Sequence, residues 1–495
     1  MPLDEAIAKA KPKVFTRNTL QLYYMMLVSM MLAWANGYDG SLMSGINAMP
    51  QYQKYFGASM TGGSTGIVFA IYPIGFLVGS PFTGPVGDLH GFMAGRFLCG
   101  FGIAVGQGSG VTYAAEIAHP AWRSAFTSMY NTFYFVGAMI VAWVTYGTLA
   151  IKSDYAWRVP VYLQAVAPAL VLISAPFLAE SPRWLLAHGR QDDAQAMLAK
   201  YHGDGNSTSP LVGLEMREMV AGISLEGTDK VWWDYRALFN SHEARWRIAM
   251  VIGMAFIGQW AGNASVTYFA PVMLKQAGVK SSREQILYVA ILNTLSYPCA
   301  AFAAIFIAGR FGRRTIFITA SLLFCLEFII ITAMTAIYSK PQYLRHANIS
   351  ASKTIVAFIF LFRLTYSLTF TPLHPVYPIE CLSFETRAKG AGFYAIMDSV
   401  STFFNTYVTP IGLGRAGWKF YFLYIIWNAL IPIVIYLFAV ETHGRTLEEL
   451  TDIFRAPNPR KASTKKKKVI FPEDDLQVAS TVVVDEGEVT KSRDA

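Results

Sequence analysis

Apolar runs of about 20 residues, each long enough to cross a bilayer as a helix, recur along the chain between short polar turns. They fall at 20–45, 62–86, 91–115, 122–149, 158–179, 246–272, 285–308, 315–338, 353–378, 390–412 and 417–440. The pattern predicts eleven helical spans, five before and six after a charged stretch at 180–245. The chain therefore divides into a basic arm (1–18), a first membrane half (19–179), a central loop with short helices (180–245), a second membrane half (246–440) and a polar tail (441–495). The tail is expected to lose order after about residue 456 because it is too polar to build a core.

Composition agrees with the pattern. Of 495 residues 54% are hydrophobic and only 15% charged, against about 25% charged in soluble domains. Residues 1–18 are polar and basic and the first apolar run is long and carries Asp39, so no cleavable signal peptide is expected. Cys99, Cys299, Cys325 and Cys381 lack metal-ligand spacing and read as apolar filler. Gly102, Gly106 and Gly110 recur every four residues, which lines one helix face for close packing rather than a phosphate loop. With no nucleophile, metal cluster or phosphate loop in view, neither an enzyme, a cofactor nor a bound metal is expected. The net charge of +9 resides in loops and tails, and the run Lys465–Lys468 reads as a solvated tail feature, not a nucleic-acid site.

Basic residues at Arg183, Arg190, Arg310, Arg313, Arg314, Arg387, Lys389 and in the tail place those regions in the cytoplasm. Lys9, Lys11, Lys13 and Arg17 place the N-terminus there too, which an odd number of spans forbids. A duplicated motif locates the conflict. Tyr113-Ala-Ala-Glu116 precedes Arg123 at one span end, and Tyr377-Pro-Ile-Glu380 precedes Arg387 at another. Such a repeat marks two related half-bundles. From the turn at Gly309 to Glu380 is 71 residues, but from Asp88 to Glu116 only 28. The deficit equals one turn, one span and a short outer loop, so the third of twelve helices is expected to be absent. An unread exon is one origin, and a true eleven-span protein is the other.

Several motifs join the duplicated one: Glu180-Ser-Pro-Arg-Trp-Leu185, Gly309-Arg-Phe-Gly-Arg-Arg314, Val376-Tyr-Pro-Ile-Glu380 with Arg387-Ala-Lys-Gly390, and Glu441-Thr-His-Gly-Arg-Thr-Leu-Glu-Glu449. As a set, over roughly 25–450, the chain resembles the sugar porter family of the major facilitator superfamily. Asn36-Gly-Tyr-Asp-Gly-Ser41, Gly258-Gln-Trp-Ala-Gly-Asn263 and Thr371-Pro-Leu-His-Pro-Val-Tyr-Pro378 resemble its fungal lactose and cellodextrin permease branch. The resemblance implies an all-α membrane protein with a major facilitator fold of two six-helix halves, here lacking the third transmembrane helix. It implies proton-coupled uptake of a sugar, a lactose- or cellobiose-type disaccharide or a hexose, across the plasma membrane. The partners would be a sugar, a proton and the lipid bilayer, with no nucleic acid. A facilitative carrier and a non-transporting sugar sensor are the alternatives, and the short tail and Asp39 argue against them.

A carboxylate within a span costs about 2.5–3.5 kcal/mol on insertion scales, so Asp39 should face a cavity or a partner. The resemblance supplies Arg96 as that partner and makes the pair the proton-coupling element; a purely structural ion pair is the plainer reading. Gln259, Trp260, Asn263 and Tyr268 offer hydroxyl partners and an aromatic face to a sugar, and the family pattern adds Asn131 and, more weakly, Asn293. Asp398 stands where the family often has asparagine, a second titrating group or a different hydroxyl pattern. Pro375 stands where it has tryptophan, leaving His374 to help build the aromatic wall. For each polar residue an interhelical hydrogen bond is the plainer role. Glu116, Arg123, Glu180, Arg183, Arg310, Arg313, Arg314, Glu380 and Arg387 are expected to form a cytoplasmic gate network holding the halves together. Glu327 and Arg363 also sit inside apolar runs and are candidates for a mutual pair. Asn348-Ile-Ser350 falls in a predicted outer loop as a glycosylation acceptor.

Overall fold

The computed structural model describes residues 15–56, 59–61, 65, 67–69, 99–103, 106, 110, 113–226, 235–307, 310–339, 349–383, 386–443, 445, 447–464, 468–469 and 483–484. Apart from a two-residue pairing of Lys468–Val469 with Val483–Val484, these residues form helices and turns. Most of the spans predicted at 62–86 and 91–115 and the junction of the inferred missing helix lie outside the described residues, as do Arg96 and Asn348.

In the first half, α1 (Arg17–Asn47) begins behind Thr16, whose Oγ1 accepts the Thr19 amide at 3.2 Å. Short α2 (Pro50–Phe56) follows, then α3 (Arg123–Thr148), α4 (Tyr155–Leu163) and α5 (Val166–Ser174). The run predicted at 158–179 is thus two helices and a 3₁₀ turn, with Pro160 inside the first. Helices α1 and α3 cross closely because both are glycine there. A Cβ at Gly37 would lie 1.8 Å from the Tyr134 carbonyl oxygen, and one at Gly137 would lie 2.0 Å from that of Trp34. Small residues at such crossings let backbones meet where lipid supplies no hydrophobic drive.

The central loop folds into α6 (Pro182–Ala187), α7 (Gln191–Tyr201) and α8 (Pro210–Glu226). The buried His202–Glu215 pair, 2.7 Å apart, pins it to the first half through His202 Nε2 and the Ile117 carbonyl at 3.1 Å.

The second half contains α9 (His242–Trp260), α10 (Asn263–Tyr268), α11 (Ala270–Gln276), α12 (Ser282–Phe302), α13 (Arg313–Tyr338), α14 (Ile349–Leu373), α15 (Val376–Cys381), α16 (Arg387–Ala416) and α17 (Tyr421–Phe438). Among the described residues, five helical stretches are long and apolar enough to cross a membrane. The last of these, Lys389–Phe438, turns at Gly417 (φ 55°) between α16 and α17. Positions four apart on α14 put Phe362, Tyr366 and Phe370 on one face. They meet Phe324 of α13 at ring-centroid distances of 4.9, 5.8 and 5.3 Å. The outside is apolar: Leu172 and Ile173 are 76% and 66% exposed, which suits a lipid surround and not water.

Hydrogen bonds between the halves gather toward the end of α3 and the α12 that packs on it. Trp143 Nε1 donates to Thr294 Oγ1 at 3.0 Å, Asn293 Nδ2 to the Ala138 carbonyl at 3.3 Å, and Arg283 Nε to the Tyr146 hydroxyl at 3.3 Å.

The tail corrects one expectation. Order continues past residue 456, through α18 (Leu447–Arg455) and α19 (Pro459–Thr464). Asn458 Oδ1 caps the Lys461 amide at 3.1 Å. Buried Ser463 accepts the Glu441 amide at 3.1 Å, and Arg460 reaches the Tyr436 carbonyl at 3.0 Å. Polar composition signalled disorder, but these local caps and docking bonds use the polar groups themselves.

Candidate functional site

The seventh family span, predicted continuous over 246–272, is broken at Ala261-Gly262, between α9 and α10. Gly262 adopts φ +110°, which L side chains rarely do, and a Cβ there would meet the Phe328 ring at 2.4 Å. Breaking a helix within a bilayer leaves carbonyls that need donors. They are supplied from three other helices. The Tyr366 hydroxyl donates to the Gly258 oxygen at 3.0 Å, Asn405 Nδ2 to the Gln259 oxygen at 2.5 Å, and Asn428 Nδ2 to the Ala261 oxygen at 2.9 Å. Sequence reading missed these three residues. An asparagine or tyrosine in an apolar run was the available signal, but its target became visible only once the break was.

Around the break the predicted polar residues sort into distinct environments. Gln259 Nε2 donates to both Asp398 carboxylate oxygens, at 3.0 and 3.2 Å. His374 Nε2 lies 3.9 Å from Asp398 Oδ1 and 3.0 Å from the Met254 carbonyl, while the Tyr394 hydroxyl stands 3.1 Å from its Nδ1. The imidazole fills the space against Gly258, where a Cβ would come within 1.9 Å of it. Gln259, Asp398 and His374 therefore form one cluster on α9, α16 and the end of α14.

Trp260 turns toward α16 and α17, donating Nε1 to the Ser401 carbonyl at 3.1 Å and packing on Trp427 at 5.4 Å. Asn263 holds Arg363: its Oδ1 accepts Arg363 Nη1 at 2.8 Å and Thr267 Oγ1 at 3.0 Å. Tyr268 faces Phe69 of the first half at 6.4 Å. Asn293 is spent on its bond to Ala138. Asn131 lies on α3 with its side chain outside the description. Asp39 is buried at 2% exposure on α1, beside Gly37 and Gly40 at the close crossing.

The Glu327–Arg363 pair does not form. Residues 363 and 365 point to opposite sides of α14, since two residues turn a helix by about 200°. Glu327 Oε1 accepts Thr365 Oγ1 at 2.8 Å, on the far side from Arg363.

At the span-end motifs the charges form two clusters, one joining the first half to the central loop and one joining the second half to the start of the tail. Glu116 accepts Ser181 Oγ and lies 3.8 Å from Arg183 Nε. Arg313 grips Glu380 with Nη2 and Nε at 2.9 and 3.3 Å, while Thr442 Oγ1 donates to Glu380 at 2.6 Å. Glu441 accepts the backbone amides of Arg313 and Arg314 at 2.8 and 3.1 Å, an acidic cap on α13. Arg387 makes no ion pair with Glu380, because Arg313 and Thr442 take both its oxygens. Arg310 and Glu180 are exposed, and the Arg123 side chain lies outside the description. Among the described residues no ion pair within 4.0 Å joins one half to the other.

Comparison with known proteins places this arrangement. Residues 91–454 match the family model described as sugar (and other) transporter. The chain is 28% identical to the MFS-type transporter oryC of Aspergillus oryzae over 384 residues, covering 76% of this chain and 69% of that protein. It is 24% identical to the high-affinity fructose transporter ght6 of Schizosaccharomyces pombe over 472 residues, covering 87% and 86%. In fold it is similar to the xylose transporter XylE from E. coli in a partially occluded inward-open conformation. The TM-score is 0.67 at 16% identity, over 86% of this chain and all of the other.

Proposed function

The chain belongs to the sugar (and other) transporter family, and from that premise we propose that it carries a sugar across the plasma membrane by alternating access, coupled to a proton. The observation that carries the reading is the polar cluster at the broken helix, where Gln259 and Asp398 meet within a bilayer-spanning bundle at 3.0 Å. A broken helix at mid-span is where such carriers place their ligand. The amide and carboxylate are hydrogen-bonding partners for sugar hydroxyls, and Tyr268 on α10 and Asn131 on α3 are further candidates.

Proton coupling is assigned to Asp39 with Arg96. Asp39 is buried on the helix that crosses α3 at Gly37 and Gly137, so a change in its charge acts on the packing of the first half. Asp398 is a second titratable carboxylate at the cluster. One proton entering down 100 mV gains about 2.3 kcal/mol, enough to concentrate a neutral sugar on the order of fiftyfold.

With both termini in the cytoplasm, the bonds from α3 to α12 lie on the outer side of the molecule, and the two separate ion clusters lie inside. The first half is read as lacking the third family helix, on the 71- against 28-residue spacing. The family match that begins at residue 91, beside that junction, supports this reading.

The test is uptake of labelled glucose, lactose and cellobiose by this chain in transport-null yeast, with and without a protonophore. Accumulation that collapses with the protonophore, and sugar exchange without accumulation in Asp39→Asn, are the expected results. Accumulation retained by Asp39→Asn removes that residue from the coupling. Absence of uptake at normal surface expression, restored by inserting a third helix, assigns the defect to the missing span.

A further inference from the structure

Arg363 is buried at 3% exposure in the middle of α14, and every group that holds it is neutral. Nη1 donates to Asn263 Oδ1 at 2.8 Å and to Thr267 Oγ1 at 2.6 Å, and Nε donates to Ser296 Oγ at 3.2 Å. The Phe135 ring, from the first half, lies 5.5 Å from the guanidinium carbon. Among the described residues Nη2 has no hydrogen-bond partner, and no carboxylate lies within 4.0 Å. Buried Arg247 shows the usual arrangement, with Glu243 at 2.6 Å. A cation within a span ordinarily pairs with an anion or faces a water-filled path. Arg363 is instead held by three side chains that fix its direction and leave its charge uncompensated.

Its surroundings belong to the candidate site. Asn263 and Thr267 lie on α10, directly after the helix break. Tyr366 lies about one turn from Arg363 on α14, and its hydroxyl donates to the Gly258 carbonyl, next to Gln259. The guanidinium and the Gln259–Asp398 cluster thus sit on the two sides of the break, at Asn263 and at Gln259. Glu327, the other carboxylate near α14, is on its opposite side. Phe135 of the first half lies over the Arg363 guanidinium.

We propose that the substrate is an acidic sugar, and that Arg363 Nη2 and Nη1 receive its carboxylate while Gln259 and Asp398 receive its hydroxyls. The inference rests on the sugar-carrier reading and narrows its substrate class. A guanidinium fork matches a carboxylate in a planar, two-bond geometry that a sugar hydroxyl cannot provide. The neutral oxygens of Asn263 and Thr267 give way to a charged one at little cost, since each retains the other as partner. A neutral hexose would leave the cation as it stands, desolvated and unpaired.

Matched ligand pairs differing chiefly in the carboxylate provide the test: galactose against galacturonate, glucose against glucuronate, and lactose against lactobionate. Binding to the purified full chain in detergent is read from tryptophan fluorescence and from ligand-induced melting shifts. At least one acid should bind about tenfold or more tighter than its neutral partner, the contribution of one charge-assisted hydrogen bond. Arg363→Gln should erase that preference, while Arg363→Lys, which keeps the cation in case the amide misfolds, should keep part of it. Equal or weaker binding of every acid, or a preference that survives Arg363→Gln, overturns the proposal and leaves the carrier reading standing. Binding of neither class to a protein that melts cooperatively overturns both.

Discussion

Both carboxylate oxygens of Asp398 accept the side-chain amide of Gln259, at 3.0 and 3.2 Å, joining α9 to α16 beside the break in the seventh family span. Removing the amide by Gln259→Ala leaves the carboxylate without its principal donor. A hydrogen bond to a charged group is worth about 1.5–3 kcal/mol, so the half-saturating sugar concentration should rise by about tenfold or more. Uptake kinetics at constant surface expression measure it, and an unchanged value removes Gln259 from the site.

The carbonyl of Ala261 depends on Asn428, a fully buried amide on α17. Asn428→Leu keeps the volume and removes the donor. It should cost about 1–3 kcal/mol and lower the melting temperature in detergent. Melting at the wild-type temperature would show that another group satisfies Ala261.

Two glycines on α3 separate packing from propensity. A Cβ at Gly137 would meet the Trp34 carbonyl oxygen at 2.0 Å, whereas nothing lies within 4 Å of one at Gly147. Gly137→Val should abolish surface expression and Gly147→Val should leave it near normal. Counting cell-surface protein decides the matter; equal tolerance would mean that α1 and α3 do not cross as described.

Arg313 and Glu380 are 14% and 25% exposed in their side chains and meet through two bonds. A double-mutant cycle with Arg313→Ala and Glu380→Ala should give a coupling of roughly 1–2 kcal/mol, larger than an exposed surface pair provides. Additive effects on thermal stability would assign the contact no energy.

The duplicated glutamate–arginine motif pointed to two half-bundles, and the structure supplies the side-chain contacts at its second copy. What it altered was partnership. Spacing along the chain paired Glu380 with Arg387, six intervening residues away, but Arg313 on a neighbouring helix fits the carboxylate with two parallel donors and displaces it. Glu327 and Arg363 looked like partners because both are charges in apolar runs. The turn of α14 sends them to different sides, toward Thr365 and toward Asn263. The tail read as unstructured beyond residue 456 because composition is blind to a buried serine accepting the Glu441 amide.

By itself the sequence determined the membrane class and the family, and it singled out Gln259, Asn263 and Asp398 as candidates. These follow from long apolar runs and rare polar residues within them, which are local properties of the chain. Tertiary structure decided where the seventh span breaks, which amides satisfy the broken backbone, and that Arg363 ends without an anion. Those outcomes depend on which helices lie against which. A polar side chain in a bilayer must take whatever partner its neighbours offer, and only the packing of α9, α10, α14, α16 and α17 specifies that partner.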